Sequence, residues 1–311
     1  MRTFAAMFQA STVLYHAIAF VTVAIWGSTF VFTKLLLLSG ITAAQIFTLR
    51  FIIAYVLLLG WCLLKQGRKG FRWLSSSLHD ELLMAALGVV GGSLYFLAEN
   101  SAMYYTTTTN TSLIVCSCPL LAAVMIGMTY KSERMTATQV TGALMAVAGV
   151  AVVVLNGHFV LHLSPLGDSL ALLACVCWAL YSLLMIPANR GYNALFITRK
   201  VFFYGLLTMI PYYIVHNEQW PSAELLLSPA IAANLLFLGC IASLACFLAW
   251  TWVMDKLGVV VTTNYVYLNP LVTIVFAWWV LDETITPWFL LGTALILTGM
   301  YLADKNKEKN S

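Results

Sequence analysis

Residues 133–149, ERMTATQVTGALMAVAG, recur in outline at 283–299, ETITPWFLLGTALILTG. Glu133, Gly142 and Gly149 stand nine and seven residues apart, and Glu283, Gly292 and Gly299 keep both spacings 150 residues later. Other landmarks repeat at nearly the same distance. Pro270 follows Pro119 by 151 residues, Trp178 follows Trp26 by 152, and Lys200 follows Arg50 by 150. A period near half the length of a 311-residue chain marks a duplicated unit. The halves are expected at 1–155 and 156–311.

The composition says where such a unit lives. The chain is 61% hydrophobic and 9% charged, against about 25% charged in a soluble domain. That apolar excess must face lipid. A spanning helix takes about 20 apolar residues, and apolar windows fall at approximately 16–38, 43–64, 81–104, 109–130 and 137–155, then 166–187, 195–215, 229–253, 259–281 and 287–303. The expected fold is therefore an all-α membrane protein of ten transmembrane helices, five per repeat, with no room for a separate soluble domain. Residues 1–15 do not read as a cleaved signal, because the apolar stretch that follows is too long.

The basic residues test this count. With the N-terminus inside, the inner segments carry Arg2, Lys65, Arg68, Lys69, Arg72, Lys131, Arg134, Arg190, Arg199, Lys200, Lys256, Lys305, Lys307 and Lys309, which is 14 of the 16 Lys and Arg residues. Lys34 and Arg50 fall within spans, and the outer loops hold none. A wrong helix count would scramble this alternation. Both termini are expected in the cytoplasm, in the cell (inner) membrane. Since each half has an odd number of spans, the two copies enter the bilayer with opposite orientation. Inverted halves around a midplane site can exchange conformations and expose that site to each side in turn.

Trp26-Gly27-Ser28-Thr29-Phe30 in the first span, the run from Gly167 to Trp178-Ala179-Leu180-Tyr181 in the sixth, and the two Pro…Glu…Gly…Gly runs at 119–149 and 270–299 resemble the drug/metabolite transporter superfamily, of the EamA-type two-repeat kind. The resemblance covers residues 16–303. It implies ten helices around a central cavity lined mainly by spans 1, 3, 4, 6, 8 and 9, and export of amino acids or other small metabolites. Glu99-Asn100 in span 3 stands outside the general pattern.

Glu99 is the most informative residue. A charge inside an apolar span costs about 2.5–3.5 kcal/mol on insertion scales and usually faces the bundle interior. It would bind a substrate amine or carry a coupling proton; the alternatives are an interfacial position or pairing with Lys34 or Arg50. Asn100 is a candidate hydrogen-bonder, and Tyr95, one turn earlier, shares the face of Glu99. Trp26 and Trp178 hold matched places nearer mid-span than interface anchors do, so cavity walls that stack on substrate are expected there, with helix packing as the alternative. Ser28, Thr29 and Tyr181 lie nearby. Pro119 and Pro270 remove an amide donor inside spans 4 and 9 and are expected to act as hinges or kinks. That would turn Asn264, Tyr265 and Asn269 toward the cavity, with Thr109, Asn110 and Ser112 as the comparable stretch in the first half. For Arg50 and Lys200, snorkelling to the interface is the ordinary account. Glu133 and Glu283 read as structural pairs or caps, and Gly88/Gly92 and Gly142/Ala146 as close-packing pairs.

Catalytic machinery is not expected. The five histidines sit at span edges or in loops, and no nucleophile elbow, zinc-protease motif, paired intramembrane Asp or Walker A motif occurs. The seven cysteines lie in apolar runs and read as packing. No metal or cofactor is expected, and no clustered basic face calls for nucleic acid. The expected partners are the bilayer, a small-molecule substrate and a coupling proton. Secondary transport of small metabolites such as amino acids, as export by alternating access, is the leading reading. A nucleotide-sugar or lipid-carrier transporter or flippase on the same fold is the alternative.

Overall fold

Long apolar runs with no water to solvate their backbone must close their hydrogen bonds internally, and in a single segment only a helix does so. The computed structural model describes residues 2–106, 111, 114–131, 135–155, 164–281 and 287–304, and among them the chain is helical, with no strand. Glu133, Glu283, Thr109, Asn110 and Ser112 lie outside the described residues.

The helices are α1 (Arg2–Leu38), α2 (Ala43–Gly70), α3 (Leu78–Tyr105), α4 (Cys118–Thr129), α5 (Ala137–Leu155), α6 (Pro165–Gly191), α7 (Ala194–His216), α8 (Pro229–Leu257), α9 (259–281) and α10 (Pro287–Asp304). A short helix, Ala223–Leu227, precedes α8. Among the described residues, six helices (α1, α2, α3, α6, α7 and α8) are long and apolar enough to cross a membrane. Cys118–Thr129, Ala137–Val152 and Pro287–Ala303 are shorter apolar helices. Local chemistry sets the starts. Thr42 and Gln45 form a capping box at α2, Ser164 caps α6 ahead of Pro165, and Asn193 caps α7.

Four irregularities shape the centre. α3 widens into a π segment at Val89–Ser93 and α8 into a longer one at Phe237–Ala245, at matched places in the two halves. α9 passes through a 3₁₀ turn, Tyr265–Leu268, before Asn269-Pro270. α4 likewise begins at Cys118-Pro119, after a turn in which Ser117 N–H donates to the Ile114 carbonyl at 3.1 Å. Both prolines thus stand in the first turn of a fresh helical segment, where the missing N–H has no partner to lose, and not within a continuous bent helix.

α5 and α10 pack through their glycines. A methyl group placed on Gly142 would fall 2.6 Å from the Gly299 carbonyl, and one on Gly299 would meet the Gly142 carbonyl at 2.6 Å. One on Gly149 would fall 2.8 Å from the Gly292 carbonyl. Since 142 faces 299 and 149 faces 292, the two helices run antiparallel. The helices that end the two repeats therefore cross in the relation that inverted copies require. Only glycine lets two backbones approach this closely.

Candidate functional site

α1, α2, α3, α6 and α8 converge with the breaks that open α4 and α9 on a central cavity of about 30 Å³, room for little more than a water molecule. Its wall is aromatic. Trp26 and Trp178 meet edge to face at 5.5 Å, Tyr95 lies 5.0 Å from Trp178, and Trp250 closes on Trp26 from behind at 4.9 Å. Phe96 and Phe247 complete it.

Two charges line this apolar space. Glu99 accepts a hydrogen bond from Tyr95 Oη at 2.6 Å, which the one-turn spacing on α3 makes possible. Arg50 is 2% exposed. Its Nε donates to Ser243 Oγ at 2.8 Å, and its guanidinium lies 4.6 Å from the centre of the Phe96 ring. The two share the cavity without a direct ion pair. Arg50 therefore does not snorkel, as a basic residue at a helix start ordinarily would. The span-8 π segment accounts for the difference by holding a hydroxyl where the buried guanidinium needs one. That segment also turns the Ala242 carbonyl to Trp26 Nε1, at 2.9 Å. π turns gather at functional sites for this kind of reason. The indole nitrogens of Trp178 and Trp250 are buried and make no hydrogen bond among the described residues.

Of the residues singled out from sequence, the structure brings Trp26, Thr29, Tyr95, Glu99, Trp178 and Asn269 to this cavity. The others lie outside it. Ser28 bonds back to the Ile25 carbonyl, and Asn100 Nδ2 donates to the Ala43 carbonyl at 3.4 Å. Tyr181 is buried 5.2 Å behind Trp178, over Gly91. Asn264 is buried away from the cavity, and Tyr265 Oη meets His16 Nδ1 at 2.7 Å. Pro119 and Pro270 immediately follow the lining residues Cys118 and Asn269.

Sequence reasoning passed over Arg50 and Cys118 as site residues, reading the cysteine as packing, and passed over Val115, Phe96, Val266 and Phe247 altogether. The signal was present. Val115/Val266, Cys118/Asn269 and Phe96/Phe247 are all 151 residues apart, the offset already visible in the two prolines. The same offset takes Glu99 to Trp250, so the carboxylate has no acidic counterpart in the second half. Among the described residues no three His, Cys, Asp or Glu side chains cluster as metal ligands do.

The model of the EamA-like transporter family matches this chain twice, over residues 13–155 and 165–303. An "uncharacterized transporter" of Archaeoglobus fulgidus is 27% identical over 302 residues, covering 94% of this chain and 98% of the relative. A "probable terminal-alkyne amino-acid exporter" of Streptantibioticus cattleyicolor is 27% identical over 231 residues, covering 73% of this chain and 74% of the relative. A "probable amino-acid metabolite efflux pump" of Escherichia coli is 25% identical over 187 residues, covering 58% and 62%. One solved crystal structure superposes with a TM-score of 0.71 at 19% identity, covering 94% of this chain and 98% of the other, a likeness of fold alone. A duplicated family match that spans both repeats, on a multi-pass helical bundle with a central cavity, makes this chain a member of the EamA-like transporter family.

Proposed function

We propose that this protein is a secondary transporter that exports small amphipathic metabolites, amino acids foremost, by alternating access of two inverted five-helix halves. Ten spans, with both termini in the cytoplasm and the chain in the cell membrane, complete the reading.

One observation carries it: Arg50 and Glu99 present opposite charges to one aromatic-walled cavity without pairing directly. An amino acid brings the complementary pair. Its carboxylate suits the guanidinium, whose Nε is already held by Ser243. Its ammonium suits Glu99, which Tyr95 orients. The unengaged Trp178 indole N–H offers a further donor to the carboxylate, and the Trp26, Phe96 and Phe247 rings suit an apolar side chain. Arg50 alone would fit a phosphate, but Glu99 on the same cavity repels a dianion, so a zwitterion fits better than a nucleotide-sugar or lipid-phosphate cargo. Glu99 is also where a coupling proton would ride. At about 30 Å³ the cavity is too small for any amino acid, so loading requires the halves to part. The glycine-lined crossing of α5 and α10 and the fresh starts at Pro119 and Pro270 are the places where they would move. The names of two relatives point to amino-acid export in those proteins, which supports the same class here.

Uptake of labelled amino acids, nucleosides and phosphorylated compounds into proteoliposomes, with and without a pH gradient, tests it. Amino acids are expected to move, faster with the gradient. Movement of phosphorylated compounds alone would sink the reading.

A further inference from the structure

A second cavity, of about 160 Å³, opens where the end of α2, the linker after it and the α6–α7 turn meet. It is lined by Arg72, Arg199, Asn193, Tyr192, Phe196 and Cys62, among others. Arg199 is 5% exposed, and its Nη2 donates to the Arg72 carbonyl, which ties the two guanidinium-bearing segments together. Aromatic rings hold both cations in place. Arg199 sits 4.1 Å from the centre of the Phe71 ring and Arg72 5.3 Å from that of Tyr192.

Among the described residues, neither arginine forms an ion pair with a carboxylate. The two nearby acids are engaged elsewhere. Glu81 takes Lys200, Tyr204 and the Ser75 amide, and Asp80 takes the Tyr192 hydroxyl at 2.8 Å. The cavity is also flanked by the start of α7, where Asn193 caps the Phe196 amide. The first-turn amides there add positive potential. Arg199, buried, and Arg72, exposed and bonded through Nε to the Leu74 carbonyl at 3.1 Å and through Nη2 to Ser76 Oγ, line one cavity with no carboxylate of the described residues in direct ion-pair contact, and guanidinium groups so placed recognise a phosphate with charge-assisted hydrogen bonds.

We propose that this pocket binds a phosphate group, carried by an anionic phospholipid headgroup or by a soluble phosphorylated molecule. It rests on the orientation proposed above only in placing the site at the cytoplasmic leaflet, where basic pockets meet anionic headgroups.

The test uses the full chain, purified from nanodiscs of phosphatidylcholine with or without phosphatidylglycerol, with retained lipid counted by native mass spectrometry. Inorganic phosphate is added as competitor in a second arm. Wild type is expected to retain phosphatidylglycerol over phosphatidylcholine, or to bind inorganic phosphate. Competition by millimolar phosphate assigns the soluble source, and retention through it assigns the lipid. Arg72→Gln, an exposed change that spares folding, should weaken the phosphate-bearing ligand about tenfold, the loss of one charge-assisted contact. Arg190→Gln, on the same side but resting on Tyr130, should leave binding unchanged. Equal retention of both lipids with no phosphate binding overturns the proposal, as does an equal fall in both variants, which would mean general surface attraction. Amino-acid flux is followed in parallel. Lost phosphate binding in Arg72→Gln with flux intact leaves the transport reading standing, and absent flux in a wild type that holds phosphate leaves this site standing.

Discussion

Arg50 and Lys200 stand 150 residues apart, at matched places near the starts of α2 and α7, and both are buried, at 2% and 4% exposure. Their surroundings differ. Lys200 forms an ion pair with Glu81, whose carboxylate also takes the Tyr204 hydroxyl and the Ser75 amide. Arg50 is held by a neutral hydroxyl and a ring, and Glu99, which lines the same cavity, makes no direct pair with it. Duplication put a cation at the same place twice. In one half a carboxylate closes on it and makes a structural lock between α3 and α7. In the other the cation lines the central cavity with no carboxylate of the described residues paired directly to it. Function in a repeat protein sits where the copies stopped matching: Glu99 corresponds to Trp250, and Glu81 has no acidic counterpart near 231.

The sharpest way to break the comparison is to neutralise both cations separately. Arg50→Met should lower the kcat/KM of amino-acid transport about a hundredfold or more, because Glu99 is left as a buried charge with no cation on the cavity, which costs several kcal/mol, and the cargo carboxylate loses its partner. Flux in proteoliposomes within threefold of wild type would show that Arg50 is no more a site residue than Lys200 is. Glu99→Gln comes next. It keeps a hydrogen-bonding group beside Tyr95 and removes the charge, so uptake of zwitterions should fall about thirtyfold, in line with hydrogen bonds to charged groups. The pH dependence should flatten as well. Unchanged rate and pH dependence would return Glu99 to a structural role.

Much of this was legible before any coordinates. Hydropathy and the alternation of basic residues delimit the helices, because the bilayer leaves a chain few other choices. The Glu-Gly-Gly spacing announces the duplication, and Gly142 and Gly299 turn out to face each other across it. Glu99, Tyr95, Trp26 and Trp178 stood out because polar or bulky groups mid-span are costly and rare. Arg50 did not, because sequence cannot distinguish a snorkelling arginine from one met by a hydroxyl two hundred residues away. That hydroxyl is in place only because α8 adopts a π segment, and π turns have no composition signal to match that of a proline or a charge. Ser28, Asn100 and Tyr265 were drawn toward the site by proximity in sequence. They face away because a helix turns its side chains by about 100° per residue, and adjacency is not a shared face.

The lock itself can be opened from either side. Lys200→Met leaves Glu81 without its cation and should cost about 2 kcal/mol of stability in detergent, below the 3–5 kcal/mol of a fully buried pair because Glu81 reaches the interface. Lys200→Met combined with Glu81→Gln should recover most of that loss, a coupling a double-mutant cycle reads directly from unfolding midpoints. Affinity for cargo should hold in all of these variants, since neither residue lines the central cavity. A drop in affinity equal to that of Arg50→Met would mean that the two halves share the site more evenly than their partners suggest.

The smallest expected effect is the finest probe of the asymmetry. Trp26 and Trp178 are repeat mates, yet Trp26 spends its indole N–H on the Ala242 carbonyl while that of Trp178 is buried and bonded to nothing among the described residues. Burial of an unpaired donor is disfavoured, so its place on the cavity wall argues that cargo supplies the acceptor. Trp178→Phe keeps most of the ring packing and removes the donor. Its KM for amino acids should rise about tenfold, the lower end of what a hydrogen bond to a charged group is worth, with kcat nearly unchanged. Trp26→Phe frees the Ala242 carbonyl, disturbs the α1–α8 contact, and should appear first as lower thermal stability. If both variants shift KM alike and neither shifts stability, the two tryptophans are equivalent wall residues, and the carboxylate of the cargo lies nearer Arg50 than Trp178.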